Sequence, residues 1–326
     1  MTFISAFRAK DGIVLGADSQ ETYGDYKLTV DKLNPVQVGE YQLAIGGSGL
    51  GDLVDDLIEQ VQEWVGEWRA SSENEIIQLL RPRLRNFYSV DVAAYPDTDA
   101  TQKRIHALLC LKHPNNPQPI LLEIKATTVR RAKNCCLVGW DSDILQQFVR
   151  RLYRKEMPVS QGVLLTLYLF QIVGSANLYV GGETRIVIGG SNGIRIHEHL
   201  YVSKIQENIA LFTKLIDQLI LRCPDTSLTP AAFDALIKEF TDTAKHLREK
   251  YLNEFGHLAM LNALTNPTYV GDTYPLIPPG SVITIREDFT STTEVNPERV
   301  QQMKDRIKEA EELSKKMKHA HGEGTT

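Results

Sequence analysis

The sequence predicts a layered α+β fold, and three observations lead there. Strand-like apolar runs, punctuated by Gly, Asp-Gly and Asn-Gly signals, come in blocks at the start, the middle and around residues 184–199. Pairs of amphipathic helices separate those blocks. The resulting order (strands, two helices, strands, two helices, strands) favours stacked sheets with helices outside them over a doubly wound parallel sheet.

Taken in order, FISAFRA (3–9) and IVLGAD (13–18) flank Asp11-Gly12, a hairpin signal between two apolar runs. Asp18 ends the second of these strands. A polar loop is expected from Glu21 to Lys27, then a short strand LTVDKL (28–33), then YQLAIGG (41–47), which ends in glycines. From 51 to 69, Leu53, Val54, Leu57, Ile58, Val61, Trp64, Val65 and Trp68 recur at helical spacing. A second helix over 73–88 contains Pro82, which should kink or interrupt it. HALLCLKH (106–113) and QPILLEIK (118–125) read as strands joined by a Pro/Asn turn, and CCLVGW (135–140) as a third, buried one. Helices at 142–154 and 160–174 follow. The Gly181-Gly182 turn then leads into the hairpin TRIVIGG–SNG–IRIHEH.

Composition changes near residue 200, so the chain divides into a first domain, 1–200, and a mainly helical extension, 201–326. The extension reads as helices at 202–222 and 230–258, the second opening at Thr229-Pro230 where proline suits a first turn. A Pro- and Tyr-rich stretch, a strand VITIRED and a last helix follow. That helix carries Val300, Met303, Ile307, Ala310, Leu313 and Met317 along one narrow stripe. The final GEGTT reads as a disordered end, and no internal repeat is present.

At 326 residues the chain can bury a sizeable core, and 42% apolar with 24% charged residues is ordinary for a globular protein. A formal net charge of −5 and no long Lys/Arg run argue against nucleic acid as a partner. No long uninterrupted apolar stretch points to a membrane span, and the start lacks a secretory pattern. Cys110, Cys135, Cys136 and Cys223 show no metal-ligand spacing, so a reduced, cytoplasmic protein without a cofactor is expected. His197 and His199 alternate on one strand without an evident third ligand, a weak metal signal.

Chemistry begins at Thr2. Behind a removable Met1, its hydroxyl and a free α-amine would share one residue, a nucleophile with its own base. Thr2, Asp18, Lys32 and the cluster Gly46-Gly47-Ser48-Gly49 follow in order. Together with the stretches KDGIVLGADSQET, LTVDKL, YQLAIGG and GDLVDDLIEQV, this resembles the β-type subunits of proteasomes and the related bacterial ATP-dependent peptidase subunit, which are N-terminal-nucleophile hydrolases. The resemblance covers about residues 2–190 and is strongest in the first sixty. It implies a four-layer αββα sandwich.

By that resemblance Thr2 is the nucleophile, Lys32 a fixed cation beside its hydroxyl, Asp18 the group holding Lys32, and the Gly47 N–H an oxyanion donor. It also implies a homo-oligomeric ring with its sites inside, a protein or peptide substrate, and an unfolding ATPase as partner. The pocket for the side chain before the cut bond maps to Glu21, Val30 and Ile45, so the acidic Glu21 implies a preference for basic residues. Lys32 lies two residues nearer Asp18 than the family places it, a deletion assigned to the loop around Tyr23 to Lys27. Where the family uses a Ser turn and an Asp to orient the terminal amine, this chain has Asp141-Ser142 and Asn177.

Each residue has a plainer reading. Asp18 at a strand end can be a turn residue, Lys32 beside Asp31 a solvated pair, and Gly46–Gly51 a tight turn before a helix. A threonine-type peptidase leads. A catalytically inactive proteasome-like scaffold and a small-molecule amidase of the same fold are the alternatives.

Overall fold

The computed structural model describes residues 2–23, 26–70, 72–96, 103–132, 134–139, 142–197, 199–265, 282–285 and 291–294. The chain divides into two compact units, 1–243 and 244–326. The first is built on two five-stranded antiparallel sheets. Sheet I comprises β1 (Phe3–Ala9), β2 (Gly12–Ala17), β10 (Cys135–Gly139), β11 (Arg185–Gly190) and β12 (Gly193–Ile196), in the order β10-β1-β2-β11-β12. Sheet II comprises β5 (Asn34–Val38), β6 (Tyr41–Ser48), β7 (His106–Lys112), β8 (Ile120–Lys125) and β9 (Thr128–Arg131), paired in chain order. A separate hairpin joins β3 (Gln20–Tyr23) to β4 (Tyr26–Thr29).

Alternation along the strands supplies three cores, because successive side chains leave opposite faces of a sheet. On β1, Ile4 and Ala6 meet Leu108, Cys110 and Leu121 of sheet II in a core between the two sheets. Phe3 and Phe7 point the other way, into a core with Leu145, Val149, Leu165, Leu169 and Phe170. Those residues come from α3 (Ser142–Leu152) and α4 (Val159–Ala176). On the outer side of sheet II, Leu43, Leu109 and Leu122 pack with Leu53, Leu57, Val61, Ile76, Leu80 and Leu84. The last six belong to α1 (Gly51–Gly66) and α2 (Glu73–Phe87).

Glycine lets α4 approach sheet I closely. A Cβ on Gly16 would lie 2.3 Å from the Thr166 methyl, and one on Gly162 3.0 Å from Val14. By length and composition α4, expected as a helix over 160–174, could also cross a membrane. In this unit its apolar side is occupied by the core it shares with β1.

Several sequence expectations need correcting. The loop expected over 21–27 is the β3–β4 hairpin, and the strand expected over 28–33 stops at Thr29, with β5 starting only at Asn34. An unbroken polar run, Gln20-Glu21-Thr22, hid β3, and β4 is exposed along its whole length. Pro82 does not interrupt α2. It is exposed, so the carbonyl it leaves unpaired can be solvated, while Ile76, Leu80, Leu84 and Phe87 hold the opposite face in the core. A π-helical turn at Tyr88–Val92 extends it.

Helix α5 (His199–Arg222) packs in the first unit through Val202, Ile205 and Ile209, and Phe212 stacks on Phe240 at 5.1 Å. Phe240 belongs to α6 (Pro230–Thr265), longer than the periodicity suggested. In the second unit β13 (Val282–Ile285) pairs with an unforeseen β14 (Ser291–Glu294). The last helix and GEGTT of the sequence reading lie outside the described residues.

Sheet II also carries a buried carboxylate. Glu123 on β8 accepts two hydrogen bonds from the Arg130 guanidinium, at 2.6 and 2.9 Å, and lies 2.9 Å from His106 Nε2. Burial alone would raise its pKa. The bonds from His106, Arg130 and Cys136 and the Arg130 charge outweigh that and hold it well below the carboxylate range.

Two outcomes are expected. Gly16→Ala should cost about 1–3 kcal/mol by overpacking, read as a lower urea midpoint. A depressed folded pKa at Glu123 means the unfolded chain binds more protons in acid, so this contribution is present above the ordinary carboxylate pKa and lost as pH falls below it. Melting temperature should therefore fall less steeply with acid in Glu123→Gln than in the parent chain.

Candidate active site

The hairpin β1–β2 sets residue 3 beside residue 18. Ile4 pairs with Ala17, and one step beyond, the Asp18 N–H donates to the Phe3 carbonyl at 3.3 Å. The return contact is from the side chain: Phe3 N–H donates to Asp18 Oδ1 at 2.9 Å. The other carboxylate oxygen, Oδ2, accepts from Lys32 Nζ at 2.9 Å. Asp18 thus links the main chain one residue past Thr2 to the ammonium of Lys32. Its side chain is 1% exposed and that of Lys32 11%.

Lys32 arrives on the segment between β4 and β5, and its Nζ also donates to the Gln20 carbonyl. The foot of the β3–β4 hairpin is tied by the Val30 N–H to the Ser19 carbonyl at 2.8 Å, and Gln20 N–H bonds the Gly181 carbonyl at 3.0 Å. Burial pushes the Asp18 carboxyl above its ordinary range. The Lys32 charge and hydrogen bonds from Phe3, Lys32 and the Gly181 backbone pull against it without overcoming it. A buried aspartate locked to one cation, unlike an exposed surface pair, marks a candidate functional site, and a purely structural ion pair shifts a pKa in the same way.

Thr2 is half-buried just before β1. Gly139, opposite Phe3 in the β1–β10 ladder, closes on it. Its φ is +99°, and a Cβ there would stand 1.8 Å from the Thr2 carbonyl oxygen. Only glycine fits both the conformation and the contact. The glycines of β6 approach from the other sheet: a Cβ on Gly46 would lie 3.0 Å from the Lys32 carbonyl. β6 runs to Ser48, past the last β5 pairing at Ile45–Asn34, so its Gly46–Ser48 edge has left that ladder beside Lys32. Gly47 sits in this stretch, with the position of its missing Cβ 2.8 Å from Val54 of α1.

Other expected residues are placed less uniformly. Glu21 is exposed, with Oε1 3.3 Å from where a Cβ on Gly51 would stand, at the start of α1. Val30 is half-buried. Ile45 is 2% exposed and lies in the core shared with α1 and α2. Asn177 caps the end of α4, and its Oδ1 accepts from the Tyr179 N–H at 2.7 Å within its own turn. Ser142 opens α3, and Asp141 lies outside the described residues. His197 is half-buried, and the burial of its ring with the nearby Arg195 charge holds it near a pKa of about 4. Among the described residues no three His, Cys, Asp or Glu side chains converge on a metal position.

Sequence reasoning missed Gln20 and Gly181 as part of the Asp18–Lys32 arrangement. Gly181-Gly182 carried a signal, the paired glycines, and Gly182 does hold a positive φ of +74°. Gln20 carried none, because its contribution is a backbone carbonyl. A cavity of about 300 Å³ borders Asp18, lined also by Phe170, Val180, Gly182, Thr184 and Gln206.

No family model matches the chain, and no curated protein does. Solved structures do. Anbu, an ancestral beta-subunit, from Yersinia bercovieri matches with TM-score 0.56 and 18% identity, covering 69% of this chain and 100% of that one. A Gly-1 mutant of Anbu from Hyphomicrobium sp. strain MC1 gives TM-score 0.56 and 17% identity, over 68% and 97%. The Anbu complex from Pseudomonas aeruginosa, described as a helical assembly, gives TM-score 0.54 and 18%, over 71% and 99%. The fold is therefore proteasome-related, and the rest of this chain has no counterpart in these structures.

A charge test isolates the Asp18–Lys32 pair. Lys32→Met leaves a buried carboxylate alone and should cost about 3–5 kcal/mol at neutral pH. A folded pKa above the unfolded one makes stability fall as pH rises between them, so acid should recover much of that loss. The double variant Asp18→Asn/Lys32→Met should recover stability at neutral pH and lose this dependence, checked by denaturant midpoints across pH.

Proposed function

We propose that this chain is a proteasome-like N-terminal-nucleophile hydrolase subunit that cleaves amide bonds with Thr2. One observation carries the reading: the buried Asp18 carboxylate joins the start of β1 to the Lys32 ammonium within a proteasome-related fold. The stacking of the three cores supports the four-layer αββα form of that fold.

In this mechanism removal of Met1 frees the Thr2 α-amine, which ordinarily titrates near about 7.7–8.0. In this reading the Lys32 charge, held by Asp18, lowers the amine's proton affinity, so the neutral amine is available as base at cellular pH. The amine takes the hydroxyl proton, and Thr2 Oγ bonds to the substrate carbonyl carbon. The resulting oxyanion is met by main-chain N–H groups of the Gly46–Ser48 stretch, Gly47 in particular. Collapse breaks the C–N bond and the amine side leaves with the transferred proton. Water, deprotonated by the same amine, then releases the acyl group from the ester and restores Thr2.

The finer parts of the reading follow the family likeness. They are a peptide or protein substrate, a cytoplasmic homo-oligomeric assembly, as the Anbu complex of Pseudomonas aeruginosa is a helical assembly, and feeding by an ATP-dependent unfoldase. Glu21 beside the start of α1 favours substrates with a basic residue before the cut bond. One observation favours a second reading, an inactive scaffold: Asn177 is engaged in its own turn, where the family places an amine-orienting carboxylate.

The experiment is the chemistry of residue 2. Intact mass of purified chain should show Met1 absent, and a hydroxyl-directed electrophile should label residue 2 once. Thr2→Ala should abolish labelling, and Lys32→Ala should slow it on the order of a hundredfold. Fully active protein that retains Met1, or labelling untouched by Thr2→Ala, would sink the reading. A fluorogenic peptide panel preferring acidic residues would remove the role given to Glu21.

A further inference from the structure

Two exposed surfaces of the first unit carry opposite charge that is only partly paired among the described residues. The first is α1. Asp52, Asp55, Asp56, Glu59 and Glu63 are all exposed and spaced three or four residues apart, so they form one ridge about 16 Å long. The helix contains no Lys or Arg. Like charges at these spacings each cost a few tenths of a kcal/mol. The strain registers at Asp55, whose carboxyl is raised by burial and then by Glu21, Asp52, Asp56 and Glu59. Tyr95 Oη donates to Asp52 at 2.6 Å, which adds no positive charge.

The second surface is a groove of about 800 Å³ where the edge strands of the two sheets, β9 and β10, meet α3. Lys125, Arg130, Arg131, Arg150, Arg154 and Lys155 line it, all exposed, on a chain whose formal net charge is −5. Arg130 is paired with Glu123 and Arg131 with Glu73. That leaves Lys125, Arg150, Arg154 and Lys155 facing the one further acidic lining residue, Asp143. Charged residues commonly protect strand edges, which accounts for Arg130 and Arg131. A cation suits the last turn of α3, which accounts for Arg150. Neither accounts for Lys125, Arg154 and Lys155 beside them.

We propose that the acidic ridge of α1 in one copy of this chain docks against the basic groove between β9, β10 and α3 of a second copy. In one copy the patches cannot meet. α1 packs over the β5–β6 end of sheet II and the groove opens at its β9 end, four strand spacings or about 19 Å from β5 across the ladder. Complementary patches at opposite ends make a heterologous contact, which repeats head to tail into a closed ring or an open helix. This deepens the oligomeric part of the proposed function and does not involve Thr2.

The test uses the full chain with two reversed variants: Asp55→Lys/Asp56→Lys/Glu59→Lys in the ridge, and Arg150→Glu/Arg154→Glu/Lys155→Glu in the groove. Sedimentation velocity should show the parent as an oligomer that dissociates as salt rises from about 50 to about 500 mM. Each reversed variant alone should self-associate at least about tenfold more weakly. Mixing the two should restore assembly, because each then offers the sign the other lacks. Unchanged melting curves establish that the variants fold; should either unfold, the neutral pairs Asp56→Asn/Glu59→Gln and Arg154→Gln/Lys155→Gln replace them and should weaken assembly less. A parent chain monomeric at low salt, an effect from only one patch, or a mixture that stays dissociated overturns the proposal. So does an oligoglutamate peptide that binds the groove without competing with assembly. Failure here leaves labelling of Thr2 standing, and failed labelling leaves this interface standing.

Discussion

The carboxylate of Asp18 has almost left water, and an ionised group so placed persists only where other groups stand in for its lost hydration. Phe3 N–H, the Gly181 backbone and the Lys32 ammonium do so here. Each comes from a different part of the chain: the first strand, the loop before β11 and the segment entering sheet II. Satisfying one buried charge therefore fixes three segments together. The start of β1 is held by this network on one side and by the Gly139 main chain on the other.

That arrangement explains why so much of the site sits on main chain. Thr2 approaches Gly139 through its carbonyl, Lys32 is received by the Gln20 carbonyl, and Gly46 packs against the Lys32 carbonyl. Glycines at 46, 139 and 182 let backbones meet where any side chain would intrude. The layered cores supply the rigidity this needs, since β1 is buried on both faces, by sheet II and by α3 and α4.

Much of this was legible in the residues. Asp11-Gly12 between apolar runs announced the hairpin that places Asp18 beside residue 3, and the spacing of Leu53, Leu57 and Val61 announced α1. What escaped had a physical reason. Hairpin β3–β4 is mostly polar and forms its own two-stranded sheet with β4 exposed, so no apolar alternation marks it. β9 and β14 are four residues long, too short for a period to register. The roles of Gln20 and Gly181 are carried by backbone atoms that every residue possesses. Ile45 was placed by correspondence alone, and on β6 its side chain falls on the face it shares with α1.

The bond from Val30 N–H to the Ser19 carbonyl has a consequence for how such a chain can vary over evolutionary time. Between Phe3 and Asp18 the sheet register is a ruler: one residue gained or lost turns Asp18 to the opposite face and dismantles the network. Between Ser19 and Val30 the opposite holds, because the β3–β4 pair is stapled at its base, and residues gained or lost between the two strands leave Asp18 and Lys32 in place. Insertions and deletions among descendants of this chain should therefore gather between β3 and β4 and be absent from the first hairpin, a pattern of tolerance dictated by where the strands are tied.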